Sequence, residues 1–126
     1  MLVQTFEELE AWKAAHALVL AVYAASRNFP REETFGITSQ LRRCATSIPA
    51  NLAEGFGRRS RKELLRYANI ADGSLQETKY FLLLARDLKY VQDDEYGQLK
   101  QQTSRVGSLL GGLQRSLRNG NKPSVG

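Results

Sequence analysis

One cysteine, Cys44, one histidine, His16, and three prolines among 126 residues set limits before any pattern is read. A lone cysteine forms no disulfide within its own chain. A lone thiol and a lone imidazole leave a zinc ion without a second soft ligand. No Glu-x-x-His pair occurs, which excludes a ferritin-like di-metal site. No metal and no cofactor is therefore expected. Scarce proline permits long uninterrupted helices. Long hydrophobic runs are also missing. The longest, Ala14 to Ala25, contains His16 and would span about 18 Å as a helix, well short of a membrane crossing. The opening "MLVQTFEELE" is acidic and lacks the basic start of a secretory leader, so the expected location is the reducing cytoplasm.

What is present fits one helical domain. Apolar residues make up 42% and charged residues 25%, the balance of a soluble globular chain with a core of its own. Net charge is +5, which favours acidic partners such as nucleic acid. Period-two alternation of useful length is absent, so strands are not expected.

Four helical segments stand out. The first spans about Phe6 to Arg27, with Thr5 and Glu8 as a capping box and Leu9, Trp12, Val19, Val22 and Ser26 as a stripe. "NFP" at Asn28 to Pro30 ends it, because the residue before proline avoids helical geometry. The second spans about Phe35 to Gly57, after a short turn at Arg31 to Thr34. Its core stripe is Leu41, Ala45, Ile48, Leu52 and Phe56, clustered within roughly 80° on a helical wheel. Pro49 predicts a kink in this helix, and Gly57 is the expected C-cap. The third is capped by Ser60 with Glu63 and reaches about Lys89. It carries one stripe, Leu64, Ala68, Ala71, Leu75, Thr78, Leu82 and Ala85, beside a second that includes Tyr67, Ile70, Ser74, Glu77 and Phe81. Two stripes predict two packing neighbours. The fourth spans about Asp94 to Arg118 with Asp93 as cap, and Tyr96, Leu99, Thr103, Val106, Leu110, Leu113 and Leu117 keep the same four-three rhythm. Gly107, Gly111 and Gly112 either admit a close backbone or weaken this helix. Residues 119–126, "NGNKPSVG", show no pattern and are expected to be a disordered tail after a single domain of residues 1–118. The expected architecture is all-α, an antiparallel up-down-up-down four-helix bundle with a kinked second helix.

Catalysis is not expected. His16 lies off its helix's stripe and reads as a surface residue. Cys44, next to the core stripe, reads as a small buried hydrophobe. "GFGRRS" follows a helix rather than a strand, so it is no phosphate loop. Two constellations remain. On the second helix, Arg43, Ser47, Asn51, Glu54 and Arg58 form a short-chained, mixed-sign face opposite the core stripe. Such a face suits a subunit contact in which charges pair and Asn sets register; the plain alternative is a solvated face. Arg58, Arg59, Arg61, Lys62 and Arg66 form a basic cluster at the next helix start, where positive charge opposes the helix dipole. It suits phosphate-backbone contact with RNA or DNA; the plain alternative is a solvated helix start. No aromatic stacking platform accompanies it, so that contact would be blind to sequence.

The stretch "QLRRCATSIPANLAEGFGRRS" together with "GSLQETKYFL" resembles the four-helix-bundle family of ribosomal RNA intervening-sequence proteins. Phe35, Gly36, Arg43, Ser47, Asn51, Glu54, Gly55, Arg58, Ser60 and Glu63 stand at positions typical of it. Cys44 replaces a usual Ala, Leu52 a usual Ile, and Lys89 stands where Gly often precedes the aromatic residue. The resemblance implies an antiparallel bundle that assembles as a homopentamer, with no catalytic residues. The accessory proteins of diversity-generating retroelements look similar in fold; theirs are basic pentameric barrels that bind a reverse transcriptase and nucleic acid. The expected function is therefore a non-enzymatic, self-associating module that meets RNA, DNA or a nucleic-acid-handling protein through a basic surface. The alternative is a protein-interaction adaptor or scaffold with no nucleic-acid binding.

Overall fold

Residues 1–124 are described by a computed structural model. Four α-helices form among them: α1 (Glu10–Ser26), α2 (Ile37–Gly57), α3 (Arg61–Asp87) and α4 (Asp93–Arg118). Each helix packs on the next, α4 closes on α1, and the backbones of the diagonal pairs stay more than 8 Å apart, Cα to Cα, among the described residues. Contacts between neighbours run in opposite directions along the chain. Cys44 meets Thr78, Ser47 meets Ser74 and Glu54 meets Tyr67, so α2 and α3 are antiparallel. Arg61 at the start of α3 reaches the carbonyl of Leu117 near the end of α4, and Arg42 early in α2 reaches Ser26 at the end of α1.

The core follows the expected stripes. Leu41, Ala45, Ile48 and Leu52 of α2 are fully buried, and all seven positions of the first α3 stripe are buried. Leu18, Leu75, Leu82, Leu110 and Leu117 complete the largest sealed side chains. Truncating any of these to Ala removes about 2–5 kcal/mol of stability. Alanines at 15, 45, 68, 71 and 85 are also sealed, or nearly so. Small side chains there let helix axes draw together.

The closest approach is at Gly55. A Cβ built on it would lie 2.6 Å from the Cβ of Tyr67 and 3.3 Å from the Cα of Leu64. Neither neighbour can swing away as a flexible tip would, so only glycine fits this site. Gly107 is different. Its Cβ would meet Leu75 at 3.5 Å, ordinary contact, so no neighbouring helix backbone comes close there, and Gly111 and Gly112 face only their own helix's Arg115. The glycines of α4 act chiefly by loosening it.

Several boundaries differ from the sequence reading. The first helix is split. A 3₁₀ turn at Phe6–Glu8 precedes α1, with Leu9 extended between them. Glu8 supplies its half of the cap, accepting from the N–H of Thr5 at 3.3 Å. α2 starts at Ile37 and runs unbroken through Pro49, which is buried. Gln92 replaces Asp93 as the residue before α4.

Helix ends hold the larger surprise. The left-handed residue after α2 is Arg59 (φ 56°), not Gly57, and after α3 it is Lys89 (φ 65°). Behind Lys89 the N–H of Tyr90 bonds the carbonyl of Ala85 and that of Lys89 bonds Arg86, both at 2.9 Å. Gly120 (φ 87°) closes α4 in the same manner. That double bond pattern satisfies the last carbonyls and is worth enough to hold a side-chained residue in glycine's territory. Residues 119–124 belong to the tail expected to be disordered after residue 118. They fold back, the carbonyl of Pro123 accepting from Val3 N–H at 3.2 Å, with a single β-bridge from Leu2 to Ser124. Residues 125 and 126, the end of the expected tail, lie outside the described ones.

Gly55→Ala should lower stability by about 1–3 kcal/mol through overpacking, despite alanine's better helix propensity. Gly73→Ala, where a Cβ would meet nothing within 4 Å, should raise it by about 1 kcal/mol. Lys89→Gly should raise it by about 1 kcal/mol as well, since glycine enters the left-handed region freely. Urea titrations of the three variants against the parent chain measure all of these; a destabilised Lys89→Gly would contradict the end geometry described.

Candidate nucleic-acid interface

Only three residues, Arg58, Arg59 and Ser60, separate α2 from α3. Ser60 Oγ accepts the N–H of Glu63 at 3.2 Å and starts α3. The turn throws the predicted basic residues into distinct environments. Arg58 donates to the Glu54 carboxylate at 3.1 Å and to the Tyr67 hydroxyl at 3.0 Å. Tyr67 in turn donates to the same Glu54 oxygen at 3.0 Å. Arg66 holds Glu63 through two hydrogen bonds and lies over the Tyr67 ring, 4.5 Å from its centroid, with Arg58 near that ring at 5.5 Å. A ring bearing two cations gains from each. The Arg58 hydrogen bond, then that of Tyr67, holds the Glu54 carboxyl below the usual carboxylate range. Arg66 does the same for Glu63. Arg61 sends one guanidinium nitrogen to the Leu117 carbonyl at 2.6 Å, a cation set at the negative end of α4.

Arg59 and Lys62 are exposed, and neither joins an ion pair or side-chain hydrogen bond among the described residues. The folded-back tail brings Lys122 beside Arg59 and Arg61, where all three line one groove. This end of the bundle thus holds a compact set of cations of which two or three are uncommitted.

The other constellation lies between α2 and α3. Ser47 Oγ and Ser74 Oγ share a hydrogen bond of 2.8 Å, and Asn51 Nδ2 donates to both the carbonyl and the hydroxyl of Ser47 at 2.8 Å. Next along, Thr78 Oγ1 bonds the Ser74 carbonyl and the Cys44 sulfur. The sequence of contacts forms a polar seam from Cys44 to Arg58.

The family model for the 23S rRNA-intervening sequence proteins matches residues 7–112. The chain belongs to that family. Its bundle also superposes, with a TM-score of 0.78 over 86% of this chain and 98% of the other, on a protein of unknown function from the S23 ribosomal protein family of Bacteroides thetaiotaomicron VPI-5482, at 22% identity. At that identity the likeness shows the fold. No curated protein matches.

In this intervening-sequence protein the two sets of sequence candidates meet at Arg58, through Glu54 and Tyr67. Of the five residues on the mixed-sign face, Ser47, Asn51, Glu54 and Arg58 have partners inside their own chain, and Arg43 alone is exposed and unpaired among the described residues. The wheel placed them opposite the core stripe; the second stripe of α3, carrying Tyr67 and Ser74, covers much of that side. Of the basic cluster, Arg58, Arg61 and Arg66 brace the fold, leaving Arg59 and Lys62. Lys122 was missed, and no local signal points to it, since the tail docks on residues at the other end of the chain.

His16 is exposed and stacks on Trp12 with centroids 5.0 Å apart. Among the described residues, no His, Cys, Asp and Glu cluster is arranged to hold a metal ion, and no helix is long and apolar enough to cross a membrane. Cys44 is buried, and burial pushes its thiol above the ordinary value, against the smaller opposing effect of Thr78. Since the thiolate is the reactive form, Cys44 should react with a disulfide reagent at pH 7 at least about a hundredfold more slowly in the folded protein than in denaturant. Equal rates would mean an open, activated thiol and contradict the seam.

Proposed function

We propose that this intervening-sequence protein is a non-enzymatic cytoplasmic module that self-associates, as a homopentamer, and holds the phosphate backbone of RNA, or of RNA within a nucleoprotein, at its basic end. The observation that carries the reading is the uncommitted pair Arg59 and Lys62 beside Arg61 and Lys122 at one end of the bundle. Phosphate contact needs mobile, unpaired cations, and these have no competing carboxylate partner. Arg58 and Arg66 add field while part of each guanidinium is engaged by Glu54, Tyr67 or Glu63. Self-association is supported by apolar side chains left on the outside: Leu20 on α1, with Ile70 and Tyr80 on α3, are each more than a third exposed. Copies arranged about an axis would repeat the basic end and multiply its field. Arg43 is the remaining charged residue of α2 free to reach a second copy.

A second reading, an adaptor that docks a protein partner, is favoured by Phe35. Its side chain is 95% exposed at the tip of the α1–α2 connection, the posture of an anchor awaiting a pocket.

Affinity for generic RNA should fall steeply with salt. With about three phosphates neutralised per chain, raising salt from about 50 to 200 mM should weaken binding by about 10–20-fold, and removing Arg59 and Lys62 together should flatten the log–log slope by about 1–2. Fluorescence anisotropy with a labelled RNA measures both. Absent binding at low salt, or a flat salt profile, would leave the adaptor reading in possession.

A further inference from the structure

The cations at the basic end do not sit on a bare polar surface. They edge a groove of about 230 Å³. Phe56, Leu64, Val3 and Pro123 supply its apolar lining, and Arg59, Arg61 and Lys122 its charge. No acidic residue among the described ones lines it. An apolar trough beside concentrated positive charge is complementary to a ligand with a flat apolar body and an anionic group attached. Its volume lies below that of a typical drug-sized pocket, which suits one such unit rather than a chain of them.

We propose that this groove receives a single unstacked nucleotide of a bound RNA strand. The base lies in the trough against Phe56, and its phosphate meets Arg59 and Lys122, with the remaining nitrogens of Arg61 in reach. The proposal rests on the phosphate-binding reading and sharpens it from any RNA backbone to single-stranded RNA. It also supplies the aromatic platform that the basic stretch read alone did not reveal. Phe56 counted there as the last member of the core stripe, yet it is only half-buried, and the tail and the N-terminal residues build the rest of the trough around it.

Two features of Arg59 belong with this role. It is held at φ 56°, a conformation costly for a side-chained residue, and such outliers gather where a side chain must be aimed. It also has no ion pair or side-chain hydrogen bond among the described residues, so its guanidinium is available to a phosphate, which it can grip with two parallel hydrogen bonds. A base stacked on an aromatic ring gains affinity whatever its identity, because every base has a π-face. A duplex offers phosphates but no free base.

The test compares a labelled ten-nucleotide single-stranded RNA with its blunt duplex at the same low salt, by anisotropy. The single strand is expected to bind about tenfold tighter. Phe56→Leu keeps the trough filled and should remove most of that preference while leaving duplex binding unchanged. Arg59→Gly relieves the backbone, so it cannot fail by unfolding at that turn, and should weaken both RNAs. Adenosine monophosphate should compete with the single strand. Equal, salt-sensitive binding of the two RNAs would overturn the groove proposal and leave phosphate contact standing. No binding of either would overturn both. Displacement of the RNA by decanoate at concentrations where adenosine monophosphate has no effect would overturn the nucleotide as occupant and assign the trough to lipid-like anions.

Discussion

The contact of α2 with α3 at Gly55 constrains the rest of the molecule. A residue without a side chain lets Tyr67 lie directly on the α2 backbone. That approach sets the register between the two helices, and the register dictates every polar pairing along them. Slipping one helix by a turn would part Ser47 from Ser74 and Glu54 from Tyr67, taking these partners from the buried Ser74 and Tyr67, and a buried polar group left unpaired is destabilising. Apolar burial holds the two helices together; the polar seam tells them where to stop. Cys44, buried beside Thr78, is part of that seam.

The same register sorts the basic residues by task. Tyr67 is placed to receive Arg58 and Arg66 on its ring and hydroxyl, and their charges are answered by Glu54 and Glu63 in the same stretch of chain. Arg61 closes the end of α4. What is left over, Arg59 and Lys62, has no ion pair or side-chain hydrogen bond among the described residues. The short connection keeps them close to the groove, and the folded-back tail adds Lys122 from the far end of the sequence. Structural and available charge thus alternate along one short segment, which explains why its positive character does not simply oppose the dipole of α3: Ser60 and Glu63 sit in the first turn with it.

Much of the architecture was legible residue by residue. The three-four spacing of Leu64 through Ala85 marked a buried face, and every one of those positions is buried. Ser60 reads as a cap and is one. The two stripes of α3 foretold two neighbours. Less legible were the ends. Gly57 carries the residue type for a helix stop, but the left-handed turn falls two residues later on Arg59, directly before the Ser60 cap of α3, and the N–H groups of Arg58 and Arg59 meet the carbonyls of Gly55 and Phe56. The mixed-sign face of α2 was read as a contact between subunits; four of its five residues have partners inside the chain, and Ser74 and Tyr67 among those partners were not named.

What the sequence determined by itself is the identity of the elements and of their inward faces, since helical periodicity, capping and proline or glycine placement are local matters, each decided within a few residues. It also carried the motif by which the family is known. Which charges are spent in bracing the fold, which stay free, and that a half-exposed phenylalanine, Lys122 of the folded-back tail and the first few residues should share one groove, were decided only by the tertiary structure. The physical reason is that these depend on the register and docking of segments far apart in the chain, and the free energy that selects them comes from burial and pairing between those segments, to which no stretch of local pattern is sensitive.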